Sequence, residues 1–302
     1  MKQQEAIFEC VPNFSEGRDE AKVEQLVDCF RNQLGVKLIN YSRDVDHNRM
    51  VITAMGSFSS LKAAVVQAVG TAIACIDLNL HQGEHPRMGA ADVIPFIPIR
   101  HASLQDADHL AKAVAQELAE KYQLPVYLYE QSATAPHRKA LEKVRQGEFE
   151  GLKVKMMSEE WIPDFGPRCP HPTAGASIVG ARNFLIAWNV NLKTGNLDIA
   201  KAIAKKIRFS SGGFPCVKAL GMEMGSEGFA QVSMNLTDFN TTGMFEVFSA
   251  IQKAAAEMGV EVRNSELIGL LPLDAVVQSF GKLLMFEGLG TERIIESHLM
   301  DL

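Results

Sequence analysis

The chain has 302 residues, 47% of them hydrophobic and 22% charged, with a formal net charge of -6. That length suits one large domain or two of ordinary size. The acidic balance argues against a nucleic-acid partner, which calls for a basic patch, but leaves room for a local basic groove.

The N-terminal stretch "MKQQEAIFECVPNFSEG" lacks the apolar core of a secretory signal. No uncharged apolar run of about 18 residues is present, so no membrane span is expected. Five cysteines, Cys10, Cys29, Cys75, Cys169 and Cys216, are odd in number and form no C-x-x-C pair. They read as reduced thiols of a cytoplasmic protein.

"AIFECVP" reads as a strand stopped at Pro12. Residues 19–34 place Val23, Leu26, Val27, Phe30 and Leu34 on one helical face, with Asp19 and Glu20 in the first turn and Gly35 as the stop. "VKLINYS" and "MVITAMG" are strands joined by the polar connection "RDVDHNR". An Ala-rich helix with a serine N-cap follows, "SFSSLKAAVVQAVGTAIACIDL". "ADVIPFIPI" is a strand whose two prolines point to an edge or an interrupted ladder. A helix over 103–121 and the strand "LPVYLY" complete this half. Strand, helix, strand, strand, helix, strand is the split βαβ, ferredoxin-like order, here with one more helix and strand added.

The second half repeats the order: "NFLIAWNVNL", the helix "LDIAKAIAKKIRF", the strands "VKALGMEM" and "FAQVSMNL", a helix from a Thr cap to Gly259, and the short strand "VEV". We therefore expect an α/β chain of two tandem ferredoxin-like βαββαβ subdomains, residues 1–179 and 180–302, with a ligand groove between them. The intervening "WIPDFGPRCPHPTAGASIVGAR" holds four prolines. It fits either a linker or a fixed loop lining a cleft.

Residues 81–85, "HQGEH", have the H-x-x-E-H order of an inverted zinc-protease motif. Such a metal pair needs both histidines one turn apart on a helix. Gly83 lies between them and Pro86 follows, and both disfavour a helix there. A loop is the better reading. A histidine can give and take a proton near neutral pH, a carboxylate such as Glu84 can orient it, and Arg87 can hold a carboxylate with two parallel bonds. The stretch thus reads as an acid–base site for an anionic substrate. His101, His109, His137 and His298 read as surface or structural residues.

Six blocks, "ECVPNFSEGR" (9–18), "HQGEHPRMGAADVIPFIP" (81–98), "PVYLYE" (125–130), "DFGP" (164–167), "GARNFLIAWNVNL" (180–192) and "AQVSMNLTDF" (230–239), lie in the order found in glutamate formiminotransferases, and the chain resembles that family over nearly its whole length. The resemblance is to a stand-alone formiminotransferase domain, with no cyclodeaminase domain expected.

The resemblance implies transfer of a formimino group from N-formimino-L-glutamate to N5 of tetrahydrofolate, with release of glutamate, in histidine breakdown. It implies His85 as the catalytic residue, no metal, and a homodimer; the cysteines, the net charge and the lack of a long apolar run add the expectation of a cytoplasmic protein that binds neither nucleic acid nor membrane. A separately encoded cyclodeaminase is a conceivable partner. It places the folate loop on Gly166, Pro167, Arg168, Cys169, Pro170, His171, Pro172, Thr173, Ala174 and Gly175.

The chemistry of the residues adds further candidates. Glu84, Asp44 or Asp46 could stabilise the His85 imidazolium, and Arg49, Arg87 and Arg182 could clamp substrate carboxylates. Asn13 could recognise a polar group or form a turn. The chain departs from the family at "NYSR", where an acidic residue is common, and at "RCPHPTAG", where relatives vary. Three alternatives stay open: formyl transfer from N-formylglutamate in the same site, a zinc-dependent hydrolase using His81, Glu84 and His85, and a folate carrier without catalysis.

Overall fold

The computed structural model describes residues 5–31, 33–224 and 228–301. The chain divides into two compact units, Met1–Arg182 and Asn183–Leu302.

In the first unit β1 (Ile7–Cys10) and β2 (Asn13–Phe14) are one strand interrupted at Val11 and Pro12. After them come α1 (Glu20–Asp28), β3 (Val36–Asp44), β4 (Arg49–Ser57), α2 (Phe58–Cys75), β5 (Ala91–Arg100), α3 (Leu104–Tyr122), β6 (Val126–Leu128), α4 (Leu141–Arg145), α5 (Glu148–Lys155) and β7 (Ser177–Ala181). The β1–β2 segment lies between β4 and β5, antiparallel to both, and β3 flanks β4. This is the split βαβ order expected. β7 and β6 extend the sheet in parallel beyond β5.

α1, α2 and α3 cover one face through side chains such as Leu26, Leu61, Val65, Leu110, Val114 and Leu118, all fully buried. Burying one such side chain stabilises the fold by roughly 1.5–3 kcal/mol. Along β6 and β7, Val126, Leu128 and Val179 join this core, while Tyr127 and Ile178 join a smaller cluster on the other face with Val144, Leu152 and Met156. These strands are buried on both sides, as parallel pairs usually are. α2 is long and apolar enough to cross a membrane, but it carries Lys62 and seven of its residues pack into the core of this unit.

In the second unit β8 (Ile186–Leu192), α6 (Leu197–Ile207), β9 (Val217–Met224), β10 (Phe229–Leu236), α7 (Met244–Glu257), β11 (Val262–Ile268) and α8 (Leu273–Leu284) form an antiparallel sheet in the order β11–β8–β10–β9. The ferredoxin-like order is thus repeated. Ala230, Val232 and Met234 are buried, as their alternation predicts.

Four local expectations are corrected. α1 ends at Asp28 rather than Leu34, which is 96% exposed; the predicted helix also crossed Asn32, which lies outside the described residues. β5 is no edge: β1 and β2 pair on one side and β7 on the other, although the ladder to β1 and β2 shifts register. The Thr242 hydroxyl does not cap α7 but donates to the Pro215 carbonyl; Gly243 is the N-cap. The Gly/Pro-rich stretch 161–182 is not a simple linker, because it ends in the fully buried β7.

Candidate active site

The recess sits in the first unit, where β2, the β3–β4 turn and the loop between α2 and β5 meet. It is lined by Asn13, Phe14, Ser15, His47, Asn48, Arg49, His81, His85, Arg87 and Asp92.

Its walls are tied together by Asn48. This residue takes a left-handed backbone (φ 47°), which asparagine tolerates better than most residues. Its side-chain oxygen accepts from the Gly17 N–H at 3.0 Å, and its amide donates to the Gln82 carbonyl at 2.9 Å. Two glycines allow the close approach. A Cβ at Gly83 would run into the His47 carbonyl, and one at Gly17 into the Asp44 carbonyl and Arg49 backbone.

The residues of H-x-x-E-H part company here. His81 donates from Nε2 to the Asn48 carbonyl at 2.9 Å and accepts at Nδ1 from Arg87 Nε at 3.2 Å. Both its nitrogens are committed, so it is not free to ligate a metal. The Glu84 carboxylate is exposed, and the segment is not helical. Among the described residues no group of three or more His, Cys, Asp and Glu side chains is placed to hold a metal ion. The hydrolase alternative therefore lacks the helical pair it needs.

His85 is half-buried in the recess. Burial pushes its imidazole down to about 4, and the positive charges of Arg49 and Arg145 add to the effect. The ring is therefore neutral at neutral pH, with its hold on a proton weakened. Arg49 lies beside it. Among the described residues this guanidinium makes no ion pair; it donates to the Asn13 side-chain oxygen, and its buried Nε lacks a partner. A carboxylate entering the recess would satisfy it.

The other candidates fall elsewhere. Arg87 is 8% exposed and grips Glu150 with two bonds, 2.9 and 2.7 Å, so its fork is already filled. Arg182 lies outside the recess, beside Glu9 and Tyr129; burial pushes Glu9 up to about 7, with Arg182 opposing. Asp44 meets His47 rather than His85, with Oδ2 2.8 Å from Nδ1. Asp46 is exposed and contributes its carbonyl to the Glu84 N–H at 3.5 Å. Asn13 donates to the Val11 carbonyl at 2.9 Å, a turn role, and also braces Arg49.

Asp92 and Arg145 escaped the sequence reading. Asp92 accepts from the Met88 and Gly89 N–H groups at 2.7 and 3.3 Å and pairs with Arg145 at 2.8 Å. It thereby holds the end of the His85 loop. His47 and Asn48 also escaped, hidden in a polar turn.

The segment 166–175 is anchored at both ends. Asp164 accepts from the Leu128 N–H and pairs with buried Arg138, both at 2.8 Å. Gly166 has φ +86°, and a Cβ there would meet the Leu124 carbonyl. At the other end Ala174 accepts from the Ala90 N–H at 3.0 Å, and Ala176 donates to the Met88 carbonyl at 3.1 Å. This end is therefore bonded to the chain just after His85. Gly166, Arg168, Cys169 and Pro172 are exposed between the anchors. The His171 Nδ1 accepts from the Ala174 N–H at 3.1 Å, and burial lowers its proton affinity.

Comparison with known proteins bears on what this site serves. The model of the formiminotransferase domain N-terminal subdomain matches residues 7–182, and that of the formiminotransferase domain matches 187–287. The chain belongs to the formiminotransferase family. It is 44% identical to a glutamate formimidoyltransferase of Streptococcus pyogenes serotype M1 over 295 residues, 97% of this chain and 99% of that protein. A glutamate formimidoyltransferase of Thermoplasma acidophilum is 40% identical over 96% of each chain. A formimidoyltransferase-cyclodeaminase of Dictyostelium discoideum is 39% identical over 90% of this chain and 52% of its own length. The formiminotransferase match to two family models meets at the junction of the two structural units.

Proposed function

We propose that the protein is a glutamate formimidoyltransferase, moving the formimino group of N-formimino-L-glutamate to N5 of tetrahydrofolate and releasing L-glutamate, as in histidine degradation. The observation that carries this reading is the pairing in one recess of a neutral histidine, His85, with a guanidinium, Arg49, that makes no ion pair among the described residues. The relatives of matching length support the donor and acceptor.

N5 attacks the amidine carbon and an N5–C bond forms. The attacking nitrogen must lose a proton. The glutamate nitrogen must gain one as its bond to carbon breaks and it leaves with the electron pair. His85 is an acid–base group of this exchange and takes the proton of the attacking nitrogen. A glutamyl carboxylate on Arg49 both positions the donor and cancels part of the positive field that depresses His85, so the base strengthens once substrate is in place. The folate is assigned to Gly166–Gly175, the segment whose end is bonded to the close of the His85 loop. A homodimer in the cytoplasm accompanies this reading as a property of the family.

His85→Ala tests the assignment. The variant should keep its thermal unfolding transition and lose about 10²–10⁴-fold in kcat. Wild-type turnover in that variant would remove His85 from the mechanism.

A further inference from the structure

We propose that His47, oriented by Asp44, is a second proton-transfer group of the site, serving the nitrogen of the reacting carbon that His85 does not. The inference rests on the formimidoyl-transfer reading above.

His47 and His85 line the same recess from opposite loops. Their rings meet edge to face, with centroids 6.2 Å apart and planes at 70°. The distance is fixed from several directions. Gly83 packs directly on the His47 carbonyl, Asn48 bonds the next turn of chain to Gln82, and His81 bonds back to Asn48.

Asp44 commits both its oxygens to His47. Oδ1 accepts from the His47 N–H at 2.8 Å, and Oδ2 lies 2.8 Å from Nδ1. The carboxylate thus holds the ring with Nδ1–H toward Asp44, which leaves Nε2 as the nitrogen for proton transfer. Among the described residues Nε2 has no hydrogen-bond partner. This is the orientation in which a carboxylate–histidine pair moves a proton at Nε2. Of the charged and titratable groups near His47, Asp44 on its own turn and His85 across the recess interact with it, Asp46 is its near neighbour in the turn and meets the Glu84 backbone, and Arg49, His81, Arg87 and Asp92 line the same recess.

The reaction asks for two proton transfers at two different nitrogens on one carbon. Two histidines on either side of that carbon divide the work. As the N5–C bond forms, the N5 proton passes to His85. As the bond from carbon to the glutamate nitrogen breaks, its electron pair stays on nitrogen and takes the Nε2 proton of the His47 imidazolium. His85 then loses its proton to water and His47 regains one, so the protein returns to its starting state. His47 is a catalytic residue in this scheme, and Asp44 is a positioning residue.

The test is glutamate release from N-formimino-L-glutamate with tetrahydrofolate, assayed across pH for the wild type, His47→Asn, His47→Ala and Asp44→Asn, each checked by thermal unfolding. His47→Gln replaces any variant that fails to fold. We expect kcat to fall about 10²-fold in His47→Asn, with KM for the donor within about twofold of the wild type and the pH profile of kcat altered. Free imidazole should restore part of the activity of His47→Ala. Asp44→Asn should lose about tenfold in kcat and also alter the pH profile, because the carboxylate that holds Nδ1–H is gone. A kcat within about threefold of the wild type in His47→Asn overturns the proposal. So does a loss confined to KM, or a kcat loss with an unchanged pH profile that imidazole does not relieve in His47→Ala. The wild type is assayed first: no release from it overturns the formimidoyl reading and this inference together, whereas an active wild type with an equally active His47→Asn overturns this inference alone.

Discussion

His81 donates from Nε2 to the backbone carbonyl of Asn48 at 2.9 Å, joining two loops 33 positions apart. The same two loops carry His85 and His47. The first histidine of H-x-x-E-H is therefore a joint, and the second is left free for chemistry. Asn48 completes the joint with its bonds to Gly17 and Gln82.

Replacing Asn48 with alanine strands a buried Gly17 N–H and puts a residue less tolerant of the left-handed backbone at φ 47°. We expect a loss of about 2–3 kcal/mol, read as a lower urea midpoint with an unchanged slope. A midpoint equal to the wild type would mean that the joint does not hold the loops.

Gly83→Ala probes the spacing of the two histidines without altering either side chain. The new methyl group meets the His47 carbonyl, so one loop must move. A displacement of about 1 Å can lower turnover by about 10²-fold. We expect kcat to fall by an amount of that order while the far-ultraviolet spectrum is retained. Full activity would show that the recess tolerates a wider gap.

Arg49→Met removes the guanidinium that makes no ion pair among the described residues. The KM for the glutamyl donor should rise about 10–100-fold, since a charge-assisted bond is lost. Arg49→Lys should recover only part of this, because the ammonium cannot bind a carboxylate with a planar fork. The variant should also raise the proton affinity of His85, for Arg49 is the main charge depressing it after burial. An unchanged KM would place the substrate carboxylate elsewhere.

Two buried groups give stability opposite pH dependences. His85 titrates at about 4 in the folded chain against 6.5 ordinarily, so the unfolded chain binds more protons between those values and stability rises with pH across that window. Glu9 is pushed from 4.5 up to about 7, so the folded chain binds more protons there and stability falls as pH rises from 4.5 to about 7. Urea titrations across pH should therefore show a downward trend in His85→Asn that is steeper than in the wild type, and an upward trend in Glu9→Gln. The same trend in both variants would contradict these assignments.

Much of the architecture was legible because it is written in periodicity. The alternation in Phe229–Leu236 and the helical spacing in Leu104–Tyr122 place their faces without further information. β7 was not legible, because its five residues follow a run of prolines and glycines and are buried on both sides, which leaves no alternation to read. His85 stood out through its company in one short segment. His47 did not, because its partners Asp44 and His85 are brought to it by a turn and by a distant loop. Arg87 read as a free fork because Glu150, which fills it, lies 63 residues away.

The most direct measurement is glutamate release by the purified protein from N-formimino-L-glutamate, with and without tetrahydrofolate. The account predicts release that requires tetrahydrofolate and disappears in His85→Ala. Release that proceeds equally well without tetrahydrofolate, or none with it, would contradict the account.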